Sequence, residues 1–453
     1  MVKRITAAAA LLLMFVLCTM LSGCSVKFSQ ISDLIRPPVY SRENEELRKA
    51  FKADFSAEAV YKAPISGEYL SAFLTYDINS DGTQEALVFY SDDAFDNTVS
   101  IAVYGRQNGE WHLSSQTDGN GCDVYSVEFE DFDLDGAVEL VVCWSLFDSK
   151  SNKMLSVYSV NKETLSLQRL TAEMYTVKEF VDIDGDSDNE IFLIHLDATS
   201  GKQESSAKLM GMTDSGFALI EKRSLDGNVS GYKGIITEHK DGSVTFFIDA
   251  YKGENQMITE VVTWNTLTSA MNVPLLDSET RMNTQSWRSM RLFCTDINGD
   301  SRLEIPTQEV FENGEIWTDG SEQPTYPFLT TWFTIENDTP ETVGRTLVNL
   351  GERCLFTIPD MWEDRFAVTM HEGEGKWDFY QINPYTGEKK SYLFSVVFLT
   401  KDAWESDGSS KYESYMLLKE TDNKCLAVTG INTENELNVS FDMLSRAFSY
   451  FSQ

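Results

Sequence analysis

The sequence predicts a mainly β fold: a β-propeller of about five four-stranded blades over residues 56–350, with six or seven blades as alternatives, followed by a small α+β domain over 351–453. Three observations predict it. First, an acidic nonapeptide of the form D-x-[DN]-x-D-[GS]-x-x-E occurs four times, starting at Asp77, Asp131, Asp182 and Asp296. Second, each copy runs between short strands with period-2 alternation, such as the exit strands "ALVFY" and "VELVVCW". Third, the starts lie 54, 51 and 114 residues apart, and the last interval is nearly two of the others. Four-stranded units repeated at a period of 50-odd residues are the signature of a propeller, whose radial packing leaves only short edges exposed. An open β-solenoid is the competing reading, but its repeats are shorter and do not hairpin.

The long interval predicts a hidden unit near residue 237. There stands "TEHKDGSVTFFIDA", with an apolar approach (Ile235, Ile236), an Asp-Gly turn (Asp241, Gly242) and an alternating exit strand (Val244, Phe246, Ile248), but without most of the acidic residues. About 30 residues after each loop comes a second hairpin: "SIAVYGRQNGEWHL", "LSVYSVNKETLSLQ", "AKLMGMTDSGFALI", "EVVTWNTLTSAMNV" and "LTTWFTIENDTPETV". The hidden unit has its copy, which makes five.

The loops carry the chemistry. Oxygens at positions 1, 3 and 5 surround one point, a backbone carbonyl at 7 adds another, and Glu at 9 closes the shell. Such an all-oxygen set suits Ca²⁺ and fits Zn²⁺ or Cu²⁺ poorly. Glycine at position 6 (Gly82, Gly136) allows the sharp turn; in the later loops Ser187 and Ser301 stand there, with Gly185 and Gly299 at position 4. These are not EF-hands, because position 12 is Val88 in the first loop and Val142 in the second, and a strand follows instead of a helix. A solvated acidic turn is the alternative for any one copy; four copies in phase favour three to four structural Ca²⁺ sites, whose binding energy becomes folding energy.

The loops with their flanking strands resemble FG-GAP (VCBS-type) repeats, the calcium-binding blades of the integrin α-chain propeller, found also in many bacterial secreted proteins. The stretch "RPPVYSRENEELRKAF…ISGEYLSAFLTYDINSDGTQEALVFY" resembles the start of repeat-bearing lipoproteins of clostridia and related bacteria. The resemblance covers residues 36–350. It implies metal ligands at positions 1, 3, 5, 7 and 9, position 7 through its carbonyl. These are Asp77, Asn79, Asp81, Thr83 and Glu85; Asp131, Asp133, Asp135, Ala137 and Glu139; Asp182, Asp184, Asp186, Asp188 and Glu190; and Asp296, Asn298, Asp300, Arg302 and Glu304. The hidden unit departs from the pattern, and Pro306 after the last loop predicts a shortened or irregular exit strand.

The ends place the protein. Lys3 and Arg4, an uncharged apolar run from Ala7 to Met20, and "LSGC" read as a lipoprotein signal peptide over 1–23, with Cys24 as the lipidated residue. Lipid on Cys24 predicts membrane attachment on the extracytoplasmic face of a bacterial membrane without a spanning helix. Residues 24–55 form the tether, with Pro37 and Pro38, and then a short helix capped by Ser41 with Leu47 and Phe51 on one face. After about Gly351, "CLFTIPDMWEDRFAVTM", "KWDFYQI", "SYLFSVVFL" and "YMLLKE" read as antiparallel strands, and Phe441, Leu444, Phe448 and Phe451 as one face of a helix; further blades are the alternative.

Formal net charge is −34, and about −36 without Lys3 and Arg4, which argues against nucleic acid and anionic headgroups as partners. Cys122, Cys143, Cys294, Cys354 and Cys425 read as buried free thiols, with Cys354–Cys425 or Cys122–Cys143 as the possible pairs. No H-E-x-x-H, G-x-S-x-G, P-loop or G-x-G-x-x-G occurs, and His195 reads as a core or rim residue. Trp111, Trp264 and Trp332 are the candidates for an exposed face that stacks on a sugar. The expected role is a non-catalytic module binding a surface protein or glycan. A polysaccharide-active enzyme and an envelope scaffold subunit are the alternatives.

Overall fold

The computed structural model of the chain describes residues 42–92, 98–198, 203–213, 215–240, 242–407 and 414–451. The signal peptide, Cys24, the tether and Ser41 lie outside the described residues. Helix α1 (Arg42–Asp54) is followed by β1 (Val60–Tyr61), β2 (Phe73–Tyr76), β3 (Glu85–Ser91), β4 (Ser100–Gln107) and β5 (Glu110–Asp118), which form the first sheet, with β1 and β2 both on β3. Three four-stranded antiparallel meanders come next. The second sheet is β6 (Asp123–Glu130), β7 (Glu139–Leu146), β8 (Ser149–Val160) and β9 (Leu167–Tyr175). The third is β10 (Val177–Val181), β11 (Glu190–Asp197), β12 (Glu204–Thr213) and β13 (Gly216–Leu225). The fourth, β14 (Gly231–Lys240), β15 (Ser243–Lys252), β16 (Gln256–Asn265) and β17 (Ala270–Asn272), is the hidden unit, so a regular sheet forms without the acidic loop.

Beyond Asn272 the order loosens. A strap leads to β18 (Ile305–Val310), β19 (Gly314–Trp317), β20 (Phe328–Glu336), β21 (Thr339–Asn349) and β22 (Cys354–Thr357). Then come β23 (Phe366–His371), β24 (Lys376–Ile382), β25 (Lys389–Thr400), α2 (Lys401–Asp407), β26 (Met416–Glu420), β27 (Lys424–Thr429), α3 (Phe441–Ala447) and β28 (Phe448–Tyr450). The fifth sheet runs β18-β20-β21-β22-β28 and the sixth β19-β23-β24-β25-β27-β26. Strand pairing therefore crosses residue 350 in both directions. β22 and β28 complete the fifth sheet, and β19 joins the sixth in parallel with β23.

Two sequence expectations fail here for physical reasons. The helix through Phe441, Leu444, Phe448 and Phe451 stops at Ala447, capped at its start by Ser440, whose hydroxyl accepts from the Met443 N–H. Phe448 then turns into β28, because β22 offers an unpaired edge and a seat for its ring against Phe356, 4.7 Å between centroids. Trp111, Trp264 and Trp332 are 6%, 4% and 1% exposed, so none presents a face to solvent. Pro306 does sit on an edge strand, where its missing N–H is harmless. The irregularity falls instead on the strand that should precede the last loop, reduced to one bridge between Thr295 and Glu304.

The sheets pack face on face in chain order, and the second strand of each unit serves two interfaces. In β7, Leu140, Val142 and Trp144 meet the first sheet, while Val141 and Cys143 meet the third. In β11, Ile191 and Leu193 face back and Phe192 and Ile194 face forward, where Phe192 stacks on Phe246 at 3.8 Å. Alternation in these strands thus sorts two cores, not core from solvent, which is why they read as nearly continuous apolar runs. At the open side of the first sheet, Leu47 and Phe51 of α1 cover Ala86, Val88 and Tyr90. Among the described residues no buried cluster joins the sixth sheet to the first. The described cysteines are free, and all but Cys122 are buried.

The strap after β17 is held by buried charge. Arg288 is fully buried and pairs with Asp249 at 2.7 Å, and its backbone bridges Met257. Asp226 pairs with Lys252 at 2.6 Å and accepts from the Asn283 N–H, while Glu260 accepts from the Asp226 N–H and the Asn283 amide. Burial pushes the Glu260 carboxyl up to about 7. A carboxyl whose folded pKa lies above its unfolded value binds its proton more tightly in the folded chain. Its contribution is therefore fully present below about pH 4.5 and is lost as pH rises through about 7. Glu260→Gln is expected to flatten that part of the pH–stability curve and to stabilise the chain by about 1–3 kcal/mol at pH 8. Urea melts of both proteins across this range check it, and parallel curves would refute it.

Candidate metal centre

All four acidic loops adopt one backbone conformation. Positions 4 and 6 are both left-handed: Ser80 and Gly82, Leu134 and Gly136, Gly185 and Ser187, Gly299 and Ser301, with φ between 53° and 85°. Glycine relieves one of the two in each loop, and a side chain is strained at the other. Leu134, at φ 53° and 55% exposed, is the least suited residue. Leu134→Gly is expected to stabilise the chain by about 0.5 kcal/mol, read as a raised denaturation midpoint, and a lowered midpoint would contradict the strain.

Within each loop the position-1 carboxylate gathers backbone N–H groups. Asp77 accepts from Asp81 and Gly82, Asp131 from Asp135 and Gly136, Asp182 from Gly185 and Ser187, and Asp296 from Asn298, Gly299 and Ser301, at 2.7–3.3 Å. Position 5 caps position 7 in the same way, as Asp135 does for the Ala137 N–H at 2.7 Å. The position-9 glutamate accepts from the N–H of position 2: Ile78 to Glu85, Phe132 to Glu139, Ile183 to Glu190 and Ile297 to Glu304, at 2.9–3.1 Å. Position 2 is apolar in every copy, and Ile78, Phe132 and Ile183 are buried, so each loop is pinned at both ends. That periodic apolar residue was readable in the sequence but was missed.

The carboxylates converge as the spacing predicts. Oxygens of Asp131, Asp133 and Glu139 lie within 4.8 Å of one another, as do those of Asp182, Asp184 and Asp186, of Asp184, Asp188 and Glu190, and of Asp296, Asp300 and Glu304. The third loop therefore brings in the side chain of Asp188 as well as its carbonyl, and one Asp188 oxygen is buried without a hydrogen-bond donor among the described residues. The first loop forms no such carboxylate group. There the Asn79 amide donates to Asp81 at 3.2 Å, and in the last loop Asn298 donates to Asp300 and Glu304 at 3.1 Å, offsetting part of the repulsion. Burial, then the neighbouring carboxylates, raises Glu85, Glu139 and Glu190 to about 7. The donor set is all oxygen, partly buried and strongly anionic, which fits Ca²⁺.

Protein cations complete the picture. Lys162, in the turn after β8, reaches Asp135 at 3.1 Å, and its carbonyl accepts from Asn79, so this turn ties the first two loops together. The equivalent turn of the fifth sheet carries the opposite charge. Glu336 there takes Lys240 at 2.8 Å and 3.0 Å and also pairs with Arg302, position 7 of the last loop. In the unit that lacks the carboxylates, a lysine ammonium supplies positive charge at the seam. Arg302 turns its guanidinium away from its own loop toward Glu336 and Thr334. His195 is half-buried, and its Nε2 has no hydrogen-bond partner among the described residues. His371 pairs with Asp378 at 3.1 Å, and Ser395 donates to the other oxygen of Asp378, so the three do not form a nucleophilic relay.

No family model matches the chain, and no curated protein does. Solved structures resemble it only distantly. Sqt1 of Saccharomyces cerevisiae is 12% identical over 78% of this chain and 85% of its own, with a TM-score of 0.28. An endo-arabinase of Bacteroides thetaiotaomicron is 11% identical over 64% and 98%, with a TM-score of 0.23. Sqt1 of Chaetomium thermophilum is 9% identical over 68% and 69%, with a TM-score of 0.27.

Proposed function

We propose that the protein is a calcium-stabilised β-propeller module of FG-GAP type, lipid-anchored through Cys24 on the extracytoplasmic face of a bacterial membrane, which binds a surface protein or glycan without catalysis. The observation that carries the metal reading is the identical folding of four acidic loops, each with two left-handed residues and a buried closing glutamate, in phase with the sheets. Asp131, Asp133 and Glu139, Asp182 through Glu190, and Asp296, Asp300 and Glu304 would hold Ca²⁺, which supplies cross-linking charge and no reaction step. Four antiparallel meanders with stacked faces support the propeller, and "LSGC" supports the anchor. Among the described residues no helix is long and apolar enough to cross a membrane.

The binding role is tested by a pull-down of the mature chain, with calcium, against cell-wall polysaccharide and surface-protein fractions. Saturable, calcium-dependent capture of one fraction is expected; capture of neither overturns the binding role. Cys24→Ser is expected to release the protein from membranes, and retention in the detergent phase after temperature-induced partition would overturn the anchor.

A further inference from the structure

We propose that Lys252 and Asp226 join in an intramolecular amide bond, a covalent cross-link from the end of β15 to the segment that follows β13. The bond goes beyond the ligand-binding reading and needs neither the metal nor a partner. Lys252 Nζ lies 2.6 Å from Asp226 Oδ2, and the two side chains are 10% and 1% exposed. Among the described residues no other lysine ion pair is as deeply buried on both sides; Lys208 with Glu173 and Lys376 with Asp378 each leave one partner more open. A contact of this length brings the nitrogen close to the separation of about 3–3.5 Å from which attack on a carbonyl carbon starts.

The surroundings fix the carboxyl in place. Asp226 Oδ1 accepts from the Asn228 N–H at 2.8 Å and Oδ2 from the Asn283 N–H at 2.9 Å, so each oxygen has its own main-chain donor. Glu260, fully buried, accepts from the Asp226 N–H at 2.7 Å and from the Asn283 side-chain amide at 3.2 Å, which clamps both segments against β16. The same Asn283 amide donates to the Thr259 carbonyl at 2.8 Å. Burial raises the Glu260 carboxyl to about 7, so at neutral pH it is in part a neutral acid and adds less negative charge to hold Lys252 as an ammonium.

A buried ion pair gives up the hydration of both charges, and transfer of one proton from Lys252 to Oδ2 removes both at once. A free amine then faces a neutral carboxylic acid. The amine lone pair forms the N–Cγ bond, and the electrons of the Cγ–Oδ1 double bond move onto Oδ1, where the Asn228 N–H stabilises the charge. Oδ2 leaves as water with a second proton from the nitrogen, and the carbonyl re-forms at Oδ1. One amine and one acid give one secondary amide and one water, with nothing oxidised or reduced. Such alignment is worth an effective concentration of about 10⁵–10⁸ M, and dry surroundings oppose hydrolysis of the product. The bond closes the segment 226–252 into a loop that unfolding does not open, so the passage from the third sheet to the fourth stays tied to β15.

The test is the intact mass of the mature chain, residues 24–453, purified with calcium and then denatured under reducing conditions. The parent is expected to weigh one water less than its sequence, and Lys252→Arg and Asp226→Ala to show their full sequence masses. Trypsin should release peptide 224–233 joined to peptide 241–281, in which Lys252 resists cleavage, and fragmentation should place the join on the Asp226 and Lys252 side chains. Asp226 precedes Gly227, and an Asp-Gly pair can also lose water by closing a succinimide, but that product persists in Lys252→Arg and leaves the two peptides separate. A parent at full sequence mass overturns the bond, and so does a water lost equally from Lys252→Arg. The mass and peptides of the parent decide even where a variant fails to fold.

Discussion

Chelation of calcium is expected to lower the melting temperature of the mature chain by about 10 °C, and millimolar Ca²⁺ is expected to restore it. A ligand at 100 times its Kd stabilises by about 2.7 kcal/mol per site, and a few such sites together move the midpoint of a domain by roughly 2–4 °C per kcal/mol. The effect should concentrate where carboxylates are densest. Asp182, Asp184, Asp186, Asp188 and Glu190 crowd nine residues with no cation from the described residues paired to them, whereas Lys162 already offsets Asp135 in the second loop. Asp184→Asn is therefore expected to weaken the calcium response more than Asp135→Asn. Scanning calorimetry in EGTA and in calcium reads both, and superimposable melts of the parent protein would end the metal reading. Magnesium should rescue poorly, because it demands a tighter octahedral shell than these flexible loops offer.

Arg288→Met is expected to destabilise the chain by about 3–5 kcal/mol, the largest single-residue effect anticipated outside the loops. The guanidinium is fully buried and donates to Asp249 and to the carbonyls of Ser286 and Leu292. Asp249 also accepts from Thr259 and from the Cys294 N–H, so losing the cation leaves a carboxylate in the interior with only neutral partners. Methionine fills the volume but not the charge. The double variant Arg288→Met, Asp249→Leu is expected to recover most of the loss, since a buried pair replaced by apolar groups is often neutral. Denaturant melts of the two proteins decide, and a single variant within about 1 kcal/mol of the parent would show that the strap is not held by this pair.

The parts of the fold that were legible in sequence are those written in a repeated local code. The acidic nonapeptide, its two turn positions and the second hairpin recur with each unit, so the fourth sheet was found from its place in the series although its loop is missing. The loop geometry was legible for the same reason: position 1 must collect N–H groups and position 9 must close the loop, whatever the neighbouring sheets do. What escaped was written across units. The ion pairs of Arg288 with Asp249 and of Lys240 with Glu336 join residues 39 and 96 positions apart, and no local pattern announces them. The exposure of Trp111, Trp264 and Trp332 was misjudged because strands here have two inward faces, so alternation no longer separates inside from outside. The fate of Phe448 hung on an unpaired edge at Cys354–Phe356, which only the assembled fifth sheet reveals.

Helix α1 gives the stack of sheets a defined first end. Its Leu47 and Phe51 lie on a large face of the first sheet, formed by Ala86, Val88, Tyr90, Ala102 and Tyr104, which no other sheet among the described residues covers. Such a face has the chemistry of an internal sheet-to-sheet contact, and among the described residues it differs from one in being covered by a helix instead of a sheet. A molecule shorn of α1 would present it to solvent, where the nearest matching surface belongs to another molecule in the same condition. The helix thus works as a stopper against self-association, in the way that terminal repeats keep stacked arrays finite and soluble.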